Sequence, residues 1–233
     1  MSALLEGRAI RKVFAGGDGQ PVEVLRGVEL EVHRGEFVAI VGASGAGKST
    51  LLHLVGALDR PTAGDVWLDG SRYADLDADE LAELRNRKLG FVFQFHHLLR
   101  EFSALENVMM PLAVGGMAPR GARSRAEEML SLVGLAGRMS HRPSELSGGE
   151  QQRCAVARAL VHDPSVVLAD EPSGNLDHAN ADRLHEVFFR LGREYETAVA
   201  VVTHNRQLAA RADRILLLED GKLVSVSSVN AIP

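Results

Sequence analysis

The chain has a single cysteine, Cys154, among its 233 residues. No disulfide can close within one copy, and such sparse cysteine fits a reducing compartment. Cys154 sits in "RCAVARAL", an apolar run of helical character, and is expected to pack rather than react. Positive charge is not in excess: 26 Lys and Arg stand against 31 Asp and Glu, a formal charge of −5. A surface built to track a nucleic-acid backbone is therefore not expected. Long apolar runs are missing too. "FVAIV" and "AVAVV" are far shorter than the ~20 residues that cross a bilayer, so any membrane role is expected to run through a separate chain. The first residues, "MSALLEGRAIRKVF", lack the basic start, apolar stretch and small-residue cleavage site of a signal peptide. Repeats, low-complexity segments and blocks of like charge are also absent. At 45% hydrophobic and 24% charged residues, the composition is that of an ordinary globular domain.

Periodicity supplies the organisation. "VEVLRGVELEV" alternates apolar and polar residues, the mark of strands with one solvated face. "FVAIV" (37–41), "SVVLAD" (165–170) and "AVAVVT" (198–203) are short, continuous and partly β-branched, as expected of strands buried in a parallel sheet. Helical patterns lie between them. "KSTLLHLVGAL" is one; Asp77 with Glu80, and Ser103 with Glu106, have the spacing of capping boxes. From Ala179, Leu184, Val187, Phe188 and Leu191 recur at helical spacing, and Gly192 is the expected stop. The stretch from about 95 to 160 reads as mostly helical and interrupts the strand–helix alternation. The expected fold is one α/β domain over 1–233: a parallel-sheet core, a helical subdomain inserted at about 95–160, and antiparallel strands from the N-terminus.

Two stretches look like phosphate cradles. "GASGAGKST" matches G-x-x-x-x-G-K-[ST] directly after a strand and before a helix, the context that makes this motif specific. Its glycines let backbone N–H groups face phosphate oxygens, Lys48 should reach the β- and γ-phosphates, and Ser49 should ligate Mg²⁺. Gly42, Ala43, Ser44, Gly45, Ala46, Gly47, Lys48, Ser49 and Thr50 are thus the expected nucleotide loop. In "VVLADEP", Asp170 ends a buried strand and suits the water shell of Mg²⁺, while Glu171 next to it can serve as general base. The second cradle is "LSGGEQQ", Leu146–Gln152, a serine and two glycines at a helix start. Nothing in spacing alone says why one domain would own two.

The order of the motifs says more. The phosphate loop, Gln94 after "GFVF", "LSGGE", "VVLADE", "SGNLD" (173–177) and His204 after "AVAVVT" together resemble the ATP-binding subunits of ABC transporters, over nearly the whole chain. The resemblance implies an ATPase that sandwiches two ATP molecules between two copies arranged head to tail. The two cradles then serve different nucleotides. Gly42 to Thr50 would hold the subunit's own ATP; Ser147, Gly148, Gly149 and Glu150 would meet the γ-phosphate in the partner's site, and Asp177 would bridge the two sites. By the same resemblance Phe14 would stack on adenine. Gln94 would ligate Mg²⁺ or the lytic water and report to the membrane partner, and His204 would hold the γ-phosphate beside Glu171. Asn205 and Arg100 depart from the family's habits, an acidic residue and a proline respectively.

"FQFHHLLREFSALENVMMPL" (93–112), with "HRPSELSGGE" and "ADEPSGNLD", is most similar to the ATPases of bacterial lipoprotein-releasing complexes. That likeness implies a peripheral subunit on the cytoplasmic face of the inner membrane. Two related permease chains would be its partners, docking against Phe95, Leu98, Leu99 and Phe102. His96 and His97, adjacent and unsuited to a helical metal pair, are given docking or surface roles. Macrolide-efflux and cell-division ATPases share most of the motifs. Chromosome-maintenance ABC ATPases differ by long heptad insertions, which are absent between Lys48 and Ser147.

Overall fold

The computed structural model describes residues 3–17 and 19–227, without the side chains of 191, 192 and 194. Strands β1 (Leu5–Ala15) and β2 (Pro21–Val32) form an antiparallel ribbon. The alternation of β2 places Leu25, Val28, Leu30 and Val32 inside and Arg26, Glu29 and Glu31 outside. Strand β3 (Phe37–Val41), buried at every residue, runs into the 42–47 loop and helix α1 (Lys48–Val55). Strands β4 (Ala63–Leu68) and β5 (Ser71–Arg72) complete a four-stranded antiparallel sheet of order β2-β1-β4-β5.

Helix α2 (Ala78–Lys88) starts on the capping box of Asp77 and Glu80 and feeds strand β6 (Leu89–Phe93). Helix α3 (Ala104–Val114) starts on a second box, Ser103 with Glu106; it packs with α4 (Pro119–Leu132) and α5 (Gly148–Leu160). The chain then alternates again: β7 (Val166–Asp170), α6 (His178–Tyr195), β8 (Ala198–Val202), α7 (Arg206–Ala210), β9 (Arg214–Glu219) and β10 (Lys222–Val226). The larger sheet has the order β10-β9-β3-β8-β7-β6, parallel throughout except for β10.

The continuous apolar strands follow from coverage on both faces. Phe37, Ala39 and Val41 of β3, Val167 and Ala169 of β7, and Val199 and Val201 of β8 face the helical side. Val38, Ile40, Val166, Leu168, Ala200 and Val202 face α1 and the smaller sheet. Cys154 is fully buried in the first of these clusters, its thiol pushed up to about 12 by burial, so packing is its role.

The expected antiparallel strands from the N-terminus form a sheet of their own, and the large sheet has an antiparallel edge besides, the C-terminal β10. One expectation needs correction. Helix α6 does not stop at Gly192 but runs on to Tyr195. A glycine inside a helix costs only about 1 kcal/mol relative to alanine, less than the apolar face of α6 gains from burying Leu184 and Phe188. The chain turns instead at Glu196, which is left-handed at φ 53°; the Leu191 side chain lies outside the described residues.

Candidate active site

The phosphate loop, Gln94, Asp170 with Glu171, and His204 lie at the carboxyl ends of the parallel strands β3, β6, β7 and β8, where open α/β sheets place their ligands. Helix α1 has no side chain capping its start. Its cap residue is Gly47, left-handed at φ 99°, and a Cβ there would lie 2.7 Å from Val24 Cγ1. Glycine alone meets both conditions. The first-turn N–H groups of Lys48, Ser49 and Thr50 are left at the positive end of the helix dipole, a ready anion site. The Lys48 ammonium donates to the carbonyls of Gly42 and Ala43, both at 2.8 Å, so the loop is folded around its own lysine. A cavity of about 460 Å³ opens beside Ala43, Ser44, Gly45 and Ala46. Phe14 on β1 is 42% exposed. The Lys12 ammonium stands 5.1 Å from its ring centroid and is itself pinned to Asp59 at 2.7 Å.

Strands β7 and β8 are neighbours, with Asp170 opposite Val202. Glu171 leaves β7 in the left-handed conformation, φ 45°, while its N–H still bonds the Val202 carbonyl at 2.9 Å. Such backbone strain, about 1–3 kcal/mol, clusters at functional sites. It goes with a carboxylate directed to the end of β8. Glu171 Oε1 accepts from the His204 backbone N–H at 3.0 Å and from His204 Nδ1 at 2.8 Å; Oε2 accepts from the Thr203 hydroxyl at 3.4 Å. With Nδ1 donating to the carboxylate, Nε2 is the ring nitrogen left for a ligand. Glu171 is sheltered and His204 is 73% exposed. Asn205 caps α7 by accepting from the Leu208 N–H at 3.0 Å, the bond an aspartate would make there, so the departure leaves this turn intact.

Gln94 follows Phe93, which is paired with Asp170. Its amide faces Asn175: Gln94 Nε2 donates to Asn175 Oδ1, and Asn175 Nδ2 to the Gln94 carbonyl, both at 3.3 Å. Among the described residues no cluster of three or more His, Cys, Asp or Glu could hold a metal alone. The hydroxyl of Ser49, the carboxylate of Asp170 and the amide oxygen of Gln94 are all hard oxygen donors. That set fits Mg²⁺ shared with nucleotide phosphates, which keeps few protein ligands.

The second cradle is built as a third capping box. Ser147 and Glu150 exchange bonds: Glu150 Oε2 accepts from the Ser147 N–H and hydroxyl, both at 2.8 Å, and Ser147 Oγ accepts from the Glu150 N–H at 3.3 Å. Arg138 adds a bond to Glu150 Oε1 at 3.0 Å. Ser147's two bonds and the Arg138 contact hold the Glu150 carboxyl down to about 2. The Ser147 N–H is therefore engaged, and the N–H groups the cap leaves over belong to Gly148 and Gly149. Asp177 in turn caps α6 through the Asn180 N–H at 3.0 Å.

The 93–99 loop is strapped to α5. Gln152 donates to the Phe93 carbonyl at 3.2 Å, and Arg158 to the carbonyls of His96 and His97 at 2.7 and 2.8 Å. The His96 ring is lowered in pKa by burial, opposed by its bond to the Gly148 backbone. Of the four expected docking residues, Phe95 and Leu99 are exposed, Phe102 is half-buried, and Leu98 packs against the main core. Arg100 occupies the second position of a turn closed by the Phe102 N–H on the Leu99 carbonyl at 3.2 Å, where proline is favoured but not required. Beside this loop runs a groove of about 340 Å³, lined by Leu58, Phe91, Phe93, Pro111 and Val114. Sequence reading missed those groove residues, as well as Thr203, Asn175, Gln152 and Arg158. Arg158 could have been noticed as the charge one turn beyond Cys154 in an otherwise apolar run. A larger cavity, about 600 Å³, lies at the opposite end of the sheet between Arg125 and Tyr195 and shares no residue with the phosphate loop.

Residues 25–174 match the sequence profile of the family described as ABC transporter. The chain is 52% identical over 222 residues to the lipoprotein-releasing system ATP-binding protein LolD of Porphyromonas gingivalis, covering 95% of this chain and 99% of that protein. It is 54% identical over 222 residues to the LolD of Xanthomonas campestris pv. campestris, covering 95% and 92%. Its fold matches the dimeric post-hydrolysis structure of the ATP-binding cassette MJ0796 bound to ADP and Pi with a TM-score of 0.88, at 38% identity, covering 96% of this chain and 99% of that one. The chain belongs to the ABC transporter family as an ATP-binding subunit and, within it, to the LolD group of lipoprotein-releasing systems.

Proposed function

We propose that the chain hydrolyses ATP as one half of a head-to-tail dimer and so powers the release of lipoproteins by a membrane complex. The observation that carries the chemistry is the Glu171–His204 pair, fixed by two hydrogen bonds at the ends of adjacent strands, one strand away from the phosphate loop. In this reading Gly42 to Thr50 wrap the phosphates of the subunit's own ATP, and the ring of Phe14 stacks on adenine. Ser49 and Gln94, with Asp170 through water, would hold Mg²⁺, which would supply charge neutralisation at the phosphates. Glu171 takes a proton from the attacking water as its oxygen bonds the γ-phosphorus; the bond to the bridging oxygen breaks, and ADP and phosphate leave. His204 keeps Glu171 aimed through Nδ1 and, as the imidazolium, donates from Nε2 to the γ-phosphate. The Gly148 and Gly149 N–H groups, with Ser147, Glu150 and Asp177 behind them, close the site of the other copy. The dimeric state of the MJ0796 cassette supports this arrangement.

No helix among the described residues is long and apolar enough to cross a membrane. On the likeness to LolD, we assign the membrane part of the system to separate permease subunits, two related chains, with this subunit peripheral on the cytoplasmic face. Exposed Phe95 and the adjoining groove are the docking surface. The test is purification of tagged Glu171→Gln with ATP and Mg²⁺ from solubilised native membranes. Two related permeases carrying trapped lipoprotein are expected. A single homodimeric permease with efflux partners would replace lipoprotein release by drug efflux, and failure of this variant to dimerise with ATP would refute the sandwich.

A further inference from the structure

Both elements assigned to the other copy's nucleotide meet, within one chain, on a single amide. Asn180 lies in the first turn of α6. Its backbone N–H donates to Asp177 Oδ1 at 3.0 Å and its side-chain Nδ2 to Asp177 Oδ2 at 2.6 Å, so one residue holds both carboxylate oxygens. Its Oδ1 accepts from Arg153 Nη1, in the second turn of α5, at 3.1 Å. Only one orientation of the amide satisfies carboxylate and guanidinium together, which fixes the side chain.

The same amide lies against the start of α5. A Cβ at Gly149 would fall 2.7 Å from Asn180 Cγ and Oδ1, whereas at Gly148 nothing stands within 4 Å. Gly149 is not among the residues with positive φ. The demand for glycine at 149 is therefore the close approach of Asn180, and the open side of the cradle is at Gly148.

We propose that Asn180 is a positioning residue that locks Asp177 to the first two turns of α5, so that the two groups acting on the neighbouring copy's nucleotide are presented as one rigid unit. The proposal rests on the head-to-tail reading above. Asn180→Ala removes the side-chain bonds to Asp177 and Arg153 but keeps the backbone N–H that caps α6, so the helix start survives.

Mixed dimers separate the roles. One protomer carries Glu171→Gln, so only its partner's site turns over, and the two are purified through different tags. Asn180→Ala is then placed either on the Glu171→Gln protomer, whose α5 start and Asp177 serve the live site, or on the protomer that owns the live site. In the first arrangement turnover is expected to fall on the order of tenfold, in the second less than about twofold, as expected when a hydrogen-bonded charged group loses its orientation. ATP affinity of the isolated subunit is expected to stay unchanged. Equal loss in both arrangements would mean general misfolding, no loss in either would mean that Asp177 needs no such lock, and each result overturns the proposal. A reference pair without Asn180→Ala that neither assembles with ATP nor hydrolyses it would refute the head-to-tail reading, and this inference with it.

Discussion

Arg158 poses a question of magnitude that can be worked through. Its guanidinium donates to two backbone carbonyls, those of His96 and His97, at 2.7 and 2.8 Å. Burial pulls its pKa below the ordinary arginine value. Two bonds from a charged donor contribute about 1.5–3 kcal/mol each, and taking the guanidinium out of water costs several kcal/mol. The two nearly cancel. Arg158→Met keeps the aliphatic stem in place, relieves the buried charge and leaves two carbonyls on a half-exposed loop that water can reach. A net loss of about 1 kcal/mol follows, which in a domain of this size lowers Tm by roughly 2–4 °C. The local effect is far larger. Residues 95–98 lose their strap, while the Phe93 carbonyl remains held by Gln152 and Leu99 by Asn107. Hydrogen exchange of the 95–98 amides is expected to accelerate about tenfold or more, with little change elsewhere. Arg158→Lys should fall between the two, since one ammonium cannot reproduce a planar fork. A Tm drop above about 10 °C would show that the guanidinium supports the core rather than the loop. Unchanged exchange at 95–98 would refute the strap altogether.

The third capping box should give the protein an acid-sensitive limb. Glu150 is held at about 2 when folded, below the ordinary carboxylate value of 4.5, so its contribution is complete above 4.5 and fades as pH falls toward 2. For a partly solvated cap this is about 1 kcal/mol; urea melts between about pH 7 and pH 3 should show it, with Glu150→Gln flattening the slope, and an unchanged slope would discard the assignment. Gly42→Ala should destabilise the fold by about 2 kcal/mol or more and abolish binding of a fluorescent ATP analogue, because a Cβ there would lie 2.4 Å from the Leu218 carbonyl oxygen. Wild-type melting of that variant would contradict the packing.

What could be read from the sequence was what local chemistry dictates. The phosphate loop is legible because glycine, lysine and serine at fixed spacing serve one strand–turn–helix geometry, and residues 37–55 have that geometry. The boxes at Asp77 and Ser103 are equally local. Ser147-x-x-Glu150 has the same spelling, yet its two glycines drew the reading toward phosphate alone; the structure shows a cap that engages the Ser147 N–H as well. Gly192 does not stop the helix because the apolar face that precedes it, with Leu184 and Phe188 buried, outweighs one breaker. The bonds from Arg158 to the 96–97 backbone join segments far apart in sequence, and no local pattern announces them. The antiparallel β10 edge is local, a hairpin with β9 through Asp220-Gly221, and that two-residue turn is a readable signal which the apolar strand patterns alone do not carry.

The two halves of the proposed machinery are held by different forces, and that difference has a consequence. The subunit's own cradle, Asp170 and Glu171 sit at the ends of β3 and β7, whose positions are set by backbone ladders and a doubly covered sheet. The parts that serve the other copy stand on the starts of α5 and α6, and side chains hold them there: Glu150 and Arg138 on one helix, Asn180 and Arg153 between the two. Ladder bonds survive most substitutions, whereas each of these side-chain ties is lost with a single one. Mutations that leave the isolated subunit folded and able to bind ATP, yet unable to complete its partner's site, should therefore concentrate at the helix starts and spare the strands.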